Sequence, residues 1–244
     1  MIKLSGSFKP KKSYNFIRLG NKYDGGYLLG NTTIQNSSSL ISFGISLDIS
    51  FEKNFYELTQ KKIYMYDRSH YKYYFRDEFL LSLNELRRFK FSKTFNAIKK
   101  YFQIKNFTKE NIFSVKTITY NSLTNILKTI DDNINILLKI DIEGSEYRVI
   151  ECLLKNQSKL EGLIIEFHDI DLHEKKIIDF INIFELKLTH THANNFGITD
   201  VNGNPTVLEM TFERDPKIIS NEFVIPNKLD NRNNPLKKDF TNYF

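Results

Sequence analysis

Ile134-Asn-Ile-Leu-Leu-Lys-Ile-Asp-Ile-Glu-Gly-Ser-Glu146 is the stretch whose reading decides the fold. An apolar, largely β-branched run from Ile134 to Ile140 stops abruptly at Asp141, Glu143 and Glu146. Such a run reads as a strand buried on both faces of a parallel sheet. Apolar residues then return at helical spacing in Val149, Ile150, Leu153 and Leu154, so the unit is strand, acidic turn, helix. Open α/β sheets bind ligands beyond the carboxyl ends of their strands, and buried carboxylates need partners. The acids are therefore expected to face a cleft. For Glu143 and Glu146 the alternative is that they only favour the amino end of the helix.

The same grammar extends in both directions. Leu40 to Ile45 reads as the first core strand, ending at Gly44, and Ser50 to Gln60 as a helix. Lys62 to Tyr66 is the second strand, with Asp67 at its end, Phe113 to Tyr120 the third and Leu163 to Phe167 the fifth. Glu166, His168 and Asp169 bring polar chemistry to the end of that last strand. Asp171 to Phe184 reads as a helix, and Leu186–Thr191 with Val207–Phe212 as a closing antiparallel pair. Alternating strands and helices give an α/β, Rossmann-like, mostly parallel sheet in one domain spanning residues 1–244. Residues 1–35 read as a preface with turn chemistry at Asp24-Gly25-Gly26-Tyr27, where a plain tight turn is the alternative to a functional loop. Residues 71–107 are crowded with Tyr, Phe, Lys and Arg and read as a helical insertion or cap. Single-stranded nucleic acid could use such interleaving, but a cap or homo-oligomer face with lysines in solvent is the preferred reading. The segment 226–244 is expected to be a polar, loosely packed tail.

Composition bounds the function. The chain has 244 residues, 41% hydrophobic and 14% aromatic, and no tryptophan, as suits one folded domain with a sizeable core. A net charge of +6 suits phosphate-bearing or acidic partners but is too small to argue for nucleic acid. Cys152 is the only cysteine and falls on an apolar helical stripe, so a buried structural thiol is expected. No apolar leader and no run of about 20 apolar residues is present, which reads as a soluble, cytoplasmic protein without a membrane span.

Four placed signals then agree: Ser42-Phe-Gly-Ile-Ser-Leu-Asp48, Asp67, Lys139-Ile-Asp-Ile-Glu-Gly-Ser-Glu146 and Ile164-Ile-Glu-Phe-His168. With Arg18-Leu-Gly-Asn-Lys-Tyr-Asp-Gly-Gly-Tyr27, His192-Ala-Asn-Asn-Phe-Gly197 and Leu208-Glu-Met-Thr-Phe212, they resemble the FkbM-type branch of class I S-adenosylmethionine-dependent methyltransferases. The resemblance covers about residues 18 to 214. It departs after the first strand, where Ser46 stands at a position that many such enzymes give to glycine. A dinucleotide-binding oxidoreductase, which needs three spaced glycines there, is disfavoured by the same gap.

The resemblance implies S-adenosylmethionine as cofactor. Gly44, Ser46 and Asp48 would line its methionine part, Asp67 with Arg68 beside it would hold the ribose, and Asn121 and Ser122 would neighbour the adenine. Asp24, Gly25 and Gly26 would close over it. It further implies O-methylation of a small-molecule acceptor: a sugar, nucleotide-linked or phosphorylated, as in surface-polysaccharide biosynthesis. An alcohol acceptor needs a base. His168 is the first candidate, because imidazole titrates in the useful range, Asp141 the second, and His190 and His192 follow. A divalent metal on Asp141, Glu166, His168 and His192 is the rival account and is not favoured, since their spacing is no compact metal motif. The alternative function is a non-catalytic module that binds a glycan or a partner through the insertion.

Overall fold

The computed structural model describes residues 3–86, 91–129, 135–241 and 243–244. Two short leading strands, β1 (Ser13–Tyr14) and β2 (Ile17–Gly20), precede β3 (Gly26–Leu29) and α1 (Asn31–Asn36). The core then runs β4 (Ser39–Phe43), α2 (Ser50–Thr59), β5 (Ile63–Asp67), α3 (Tyr71–Leu86), α4 (Phe91–Phe107), β6 (Ile112–Val115) and α5 (Tyr120–Lys128). It continues with β7 (Ile136–Ile140), α6 (Ile150–Lys155), β8 (Leu160–Phe167), α7 (Ile170–Ile183), β9 (Lys187–Ala193), β10 (Leu208–Glu213) and β11 (Ile218–Ser220).

Seven strands form the central sheet in the order β6-β5-β4-β7-β8-β10-β9. All pairings from β6 to β8 are parallel, and β10 runs antiparallel to both β8 and β9. The mostly parallel Rossmann-like sheet with an antiparallel closing strand is thus as the alternation predicts. Strand order reverses between β4 and β7, so a crevice opens at their carboxyl ends.

The opening stretch behaves as its composition dictates. Ile136–Ile140 is buried throughout, while Ile134 lies outside the described residues. Alternate residues serve the two faces: Ile136, Leu138 and Ile140 pack with α5, α6 and α7, and Leu137 with α2 and β3. Lys139 shares the parity of Leu137 and is also buried. It sits 3.7 Å from Glu52 of α2, whose Oε1 accepts from the Ser42 hydroxyl at 2.5 Å. Burial opposes the Lys139 charge, but Glu52 and nearby carboxylates outweigh it and raise its pKa.

Three expectations need correction. The first 35 residues are no mere preface: Tyr27, Leu28 and Leu29 are buried, because the β2–β3 hairpin lies against the sheet and adds to its core. The third strand ends at Val115, since Thr119 and Ser122 form a capping box that starts α5 at Tyr120. The segment 226–244 is not loose. Tyr243 is buried, its carbonyl accepts from Leu4 N at 3.0 Å, and Asp230 meets His190 at 2.9 Å. Polar residues here find buried partners, which composition does not reveal.

The insertion 71–107 is helical, built from α3 packed on α4; Arg87 to Lys90 lie outside the described residues. Cys152 is buried, and burial pushes its thiol pKa up. Among the described residues no helix is long and apolar enough to cross a membrane.

Candidate active site

Gly44 follows β4 at φ +77°, and an added Cβ would lie 1.5 Å from the Asp141 carbonyl oxygen. Only glycine lets the β4 and β7 ends approach this closely. The chain beyond it lines a cavity of about 380 Å3, within the range of small-ligand sites. Its lining includes Gly44, Ser46 and Asp48 after β4, Asp67, Arg68 and Tyr74 around the end of β5, Lys116–Ile118 after β6, and Lys139 and Asp141 of the β7 end, with Asp24, Gly25 and Tyr27 from the leading hairpin.

Asp67 closes one end. Its Oδ2 accepts from the Ser46 amide at 2.9 Å, and its Oδ1 from the Ser69 amide at 3.0 Å and the Tyr74 hydroxyl at 2.7 Å. Burial and that bond push the Tyr74 pKa up to about 12. Tyr74 belongs to α3, so the insertion reaches the cavity directly. Ser46 holds φ +45°, a left-handed conformation that glycine adopts without cost.

Asp48 lines the cavity while anchoring its surroundings: Oδ1 accepts from Ser50 N at 2.8 Å and Oδ2 from Asn21 Nδ2 at 3.0 Å. The Asn21–Gly25 turn is held from beneath. Arg18 donates to the carbonyls of Asn21, Lys22 and Tyr23. An added Cβ at Gly20 would lie 2.1 Å from the Gly25 carbonyl. This explains the spacing of arginine, glycines and Asp24 in the early motif. Gly26 is buried in β3 rather than on the wall.

A second cavity, of about 330 Å3, shares Asp24, Asp141 and Glu143 with the first. Glu166, His168, Asn194, Phe196, Gly197 and Val207 complete it. Tyr27 is buried between the two, its hydroxyl 3.3 Å from Asp141 Oδ2 and 3.5 Å from Glu166 Oε2. Asn194 Nδ2 donates to Glu166 Oε1 at 2.9 Å and to Asp24 Oδ1 at 3.4 Å, and Asn233 Nδ2 to Asp24 Oδ1 at 3.1 Å. Burial first, then neighbouring acids, push Asp141 up to about 6, against the pull of Lys139 and His168. Burial and the Asp141 charge raise Glu166 as well.

Glu146 organises the acidic turn. It is fully buried, and its Oε1 accepts from the Ile142 and Gly144 amides at 3.1 and 3.2 Å and faces His168 Nδ1 at 3.2 Å. Glu143 and Gly144 both adopt positive φ, +54° and +88°, which throws the Glu143 side chain outward. His168 Nε2 lies 3.5 Å from Glu143 and 3.6 Å from Glu166. Burial opposes the imidazolium, but the Glu146 hydrogen bond and the charges of Glu146, Asp141 and Glu143 prevail, raising His168 to about 8. A carboxylate only accepts, so Nδ1 carries the hydrogen toward Glu146 and Nε2 is the proton-accepting nitrogen of the neutral ring.

The fold thus brings His168, Asp141, Asp24, Gly25, Gly44, Ser46, Asp48, Asp67 and Arg68 to one crevice. Others named from sequence fall elsewhere. Asn121 is exposed on α5, and Ser122 is consumed as its cap, its hydroxyl bonded to Thr119 N; Lys116–Ile118 line the wall instead. His192 is buried and lines neither cavity, because register places it opposite Glu209 on β10, 3.2 Å away. His190 is likewise spoken for by Asp230. Asp141, Glu143 and His168 offer ligand atoms within 4.8 Å of one another, a set that shares Asp141 and His168 with the rival metal account and has Glu143 in place of Glu166 and His192.

No protein-family model matches this sequence, and no curated protein matches it. Solved structures do resemble the chain. An rRNA methylase from Streptococcus thermophilus is 11% identical at a TM-score of 0.39, with 75% of this chain and 89% of that one covered. A precorrin-6y C5,15-methyltransferase from Geobacter metallireducens gives 10%, 0.38, 75% and 86%. TrmK of M. capricolum, in complex with S-adenosyl-homocysteine, gives 11%, 0.38, 77% and 68%. At these values the likenesses say nothing of the acceptor or the chemistry of this chain.

Proposed function

We propose that this protein is an S-adenosylmethionine-dependent O-methyltransferase acting on a hydroxyl of a sugar, as the FkbM-type resemblance implies. One observation carries the reading: the switch-point cavity, with Asp67 in its lining, shares Asp24, Asp141 and Glu143 with a second cavity lined by His168. The residues fit the cofactor. Gly44 and Ser46 lie in the cavity lining, and Asp67 keeps acceptor capacity for a ribose hydroxyl beyond its three existing bonds. Tyr66, Ile118 and Ile142 give the same cavity apolar walls for a base. Ser46, the departure from the family pattern, still turns the backbone and donates its amide to Asp67.

When bound, the cofactor supplies an electrophilic methyl group on a sulfonium. The chain's own residues orient the acceptor and manage its proton. Asp141, Glu166 and Asn194 can hydrogen-bond a polyol. His168 Nε2 would take the proton of the acceptor hydroxyl as that oxygen is methylated. Glu146 holds Nδ1 and so aims Nε2. Calorimetric titration with S-adenosylmethionine and S-adenosylhomocysteine tests the reading. Failure of both to bind the intact protein sinks it, and a methyl increment on a sugar acceptor establishes the O-transfer.

A further inference from the structure

The second cavity is out of charge balance. Four carboxylates line it, those of Asp24, Asp141, Glu143 and Glu166, and no lysine or arginine does so among the described residues. His168 is the one cationic group available there, and Nδ1 is already committed to Glu146. Lys139 lines the first cavity and is paired with Glu52. The Tyr27 hydroxyl has one hydrogen for two carboxylates, the Asn194 amide divides itself between Glu166 and Asp24, and Asn233 also donates to Asp24. Phe196, half exposed, sets an aromatic ring on the same wall. Carboxylates beside an aromatic face suit an organic cation, which the ring attracts as well. They repel a phosphate.

We propose that the acceptor enters this cavity through a moiety that carries a protonated amine near the hydroxyl to be methylated, and that any phosphate it bears stays outside. The inference rests on the methyltransferase reading and narrows its substrate class to amine-bearing sugars. A protonated amine has no free electron pair, so it binds and orients while the hydroxyl oxygen takes the methyl group and His168 takes the proton.

The test is titration of the protein saturated with S-adenosylhomocysteine. The probes are methyl glucoside, 2-amino-2-deoxyglucose and glucose 6-phosphate. The amine should bind at least tenfold more tightly than the neutral sugar, with the phosphate weakest. Its advantage should shrink with added salt and in Glu166→Gln, which keeps the shape and the Asn194 contact while cofactor-product affinity stays within about twofold. The salt series on the unaltered protein stands even where the variant does not fold. Equal or tighter binding of the neutral or phosphorylated sugar overturns the proposal. So does binding of Mn2+ alone that erases the amine's advantage, since the carboxylates then serve a metal. Absence of S-adenosylhomocysteine binding is a separate result and strikes the methyltransferase reading itself.

Discussion

Glu146 Oε1 stands 3.2 Å from His168 Nδ1, and the same oxygen accepts the Ile142 and Gly144 amides. One buried carboxylate therefore shapes the acidic turn after β7 and orients the imidazole after β8. The pair fixes which imidazole nitrogen faces the acceptor cavity, and when that nitrogen is free.

The pH profile follows from this pair. His168 is raised from 6.5 to about 8, so the ring is protonated at neutral pH in the free enzyme. With the neutral ring as the proposed base, kcat/KM should rise with pH through a midpoint near 8. Glu146→Gln should move that midpoint down, toward the ordinary histidine value. The stability sign is opposite: the charged ring favours the fold fully below about 6.5, and that contribution fades as pH passes about 8. A pH-independent rate in this range rules out His168 as the base.

Removing the base should leave binding alone. His168→Ala should slow the chemical step by roughly 10²–10⁴-fold, measured in single-turnover experiments, with cofactor affinity almost unchanged. A near-wild-type rate places the base elsewhere, with Asp141 next in line.

At the other end of the crevice, Asp67→Ala should weaken S-adenosylmethionine binding by at least tenfold, because each hydrogen bond to a charged group is worth roughly 1.5–3 kcal/mol. Tyr74→Phe should also change cofactor affinity, since the Tyr74 hydroxyl sits on Asp67 at 2.7 Å. Deleting the insertion is accordingly expected to disturb cofactor binding as well as turnover. Calorimetry on the two point variants decides this; identical dissociation constants for Tyr74→Phe and wild type would detach the insertion from the cofactor.

Lys139 and Glu52 are buried 3.7 Å apart. Lys139→Met alone leaves a buried carboxylate without its counter-charge and should cost roughly 3–5 kcal/mol in denaturant unfolding. Adding Glu52→Gln should recover much of that loss. An additive double variant refutes the coupling.

Chelation separates base from metal. With His168 as base, turnover should survive EDTA. Full loss, restored by a divalent ion, would instead make Asp141, Glu143 and His168 ligands, the set whose donor atoms lie within 4.8 Å.

What the sequence determined by itself is the sheet and its ligand edge. The apolar run ending at Ile140, Gly44 after β4, Asp67 at the end of β5 and His168 after β8 are local signals: burial on both faces demands apolar residues, and the carboxyl edge is where polar ones return. What only the tertiary structure decided depends on contacts between distant segments. Tyr27 enters between Asp141 and Glu166 from a hairpin over a hundred residues upstream, and Asn233 reaches Asp24 from the tail. Tyr74 reaches Asp67 from the insertion, and His192 is withdrawn from the site by its register with Glu209. A polar residue in sequence carries no mark of the partner that will bury it. Packing supplies that partner, and with it the difference between a histidine at a cavity wall and one sealed between strands.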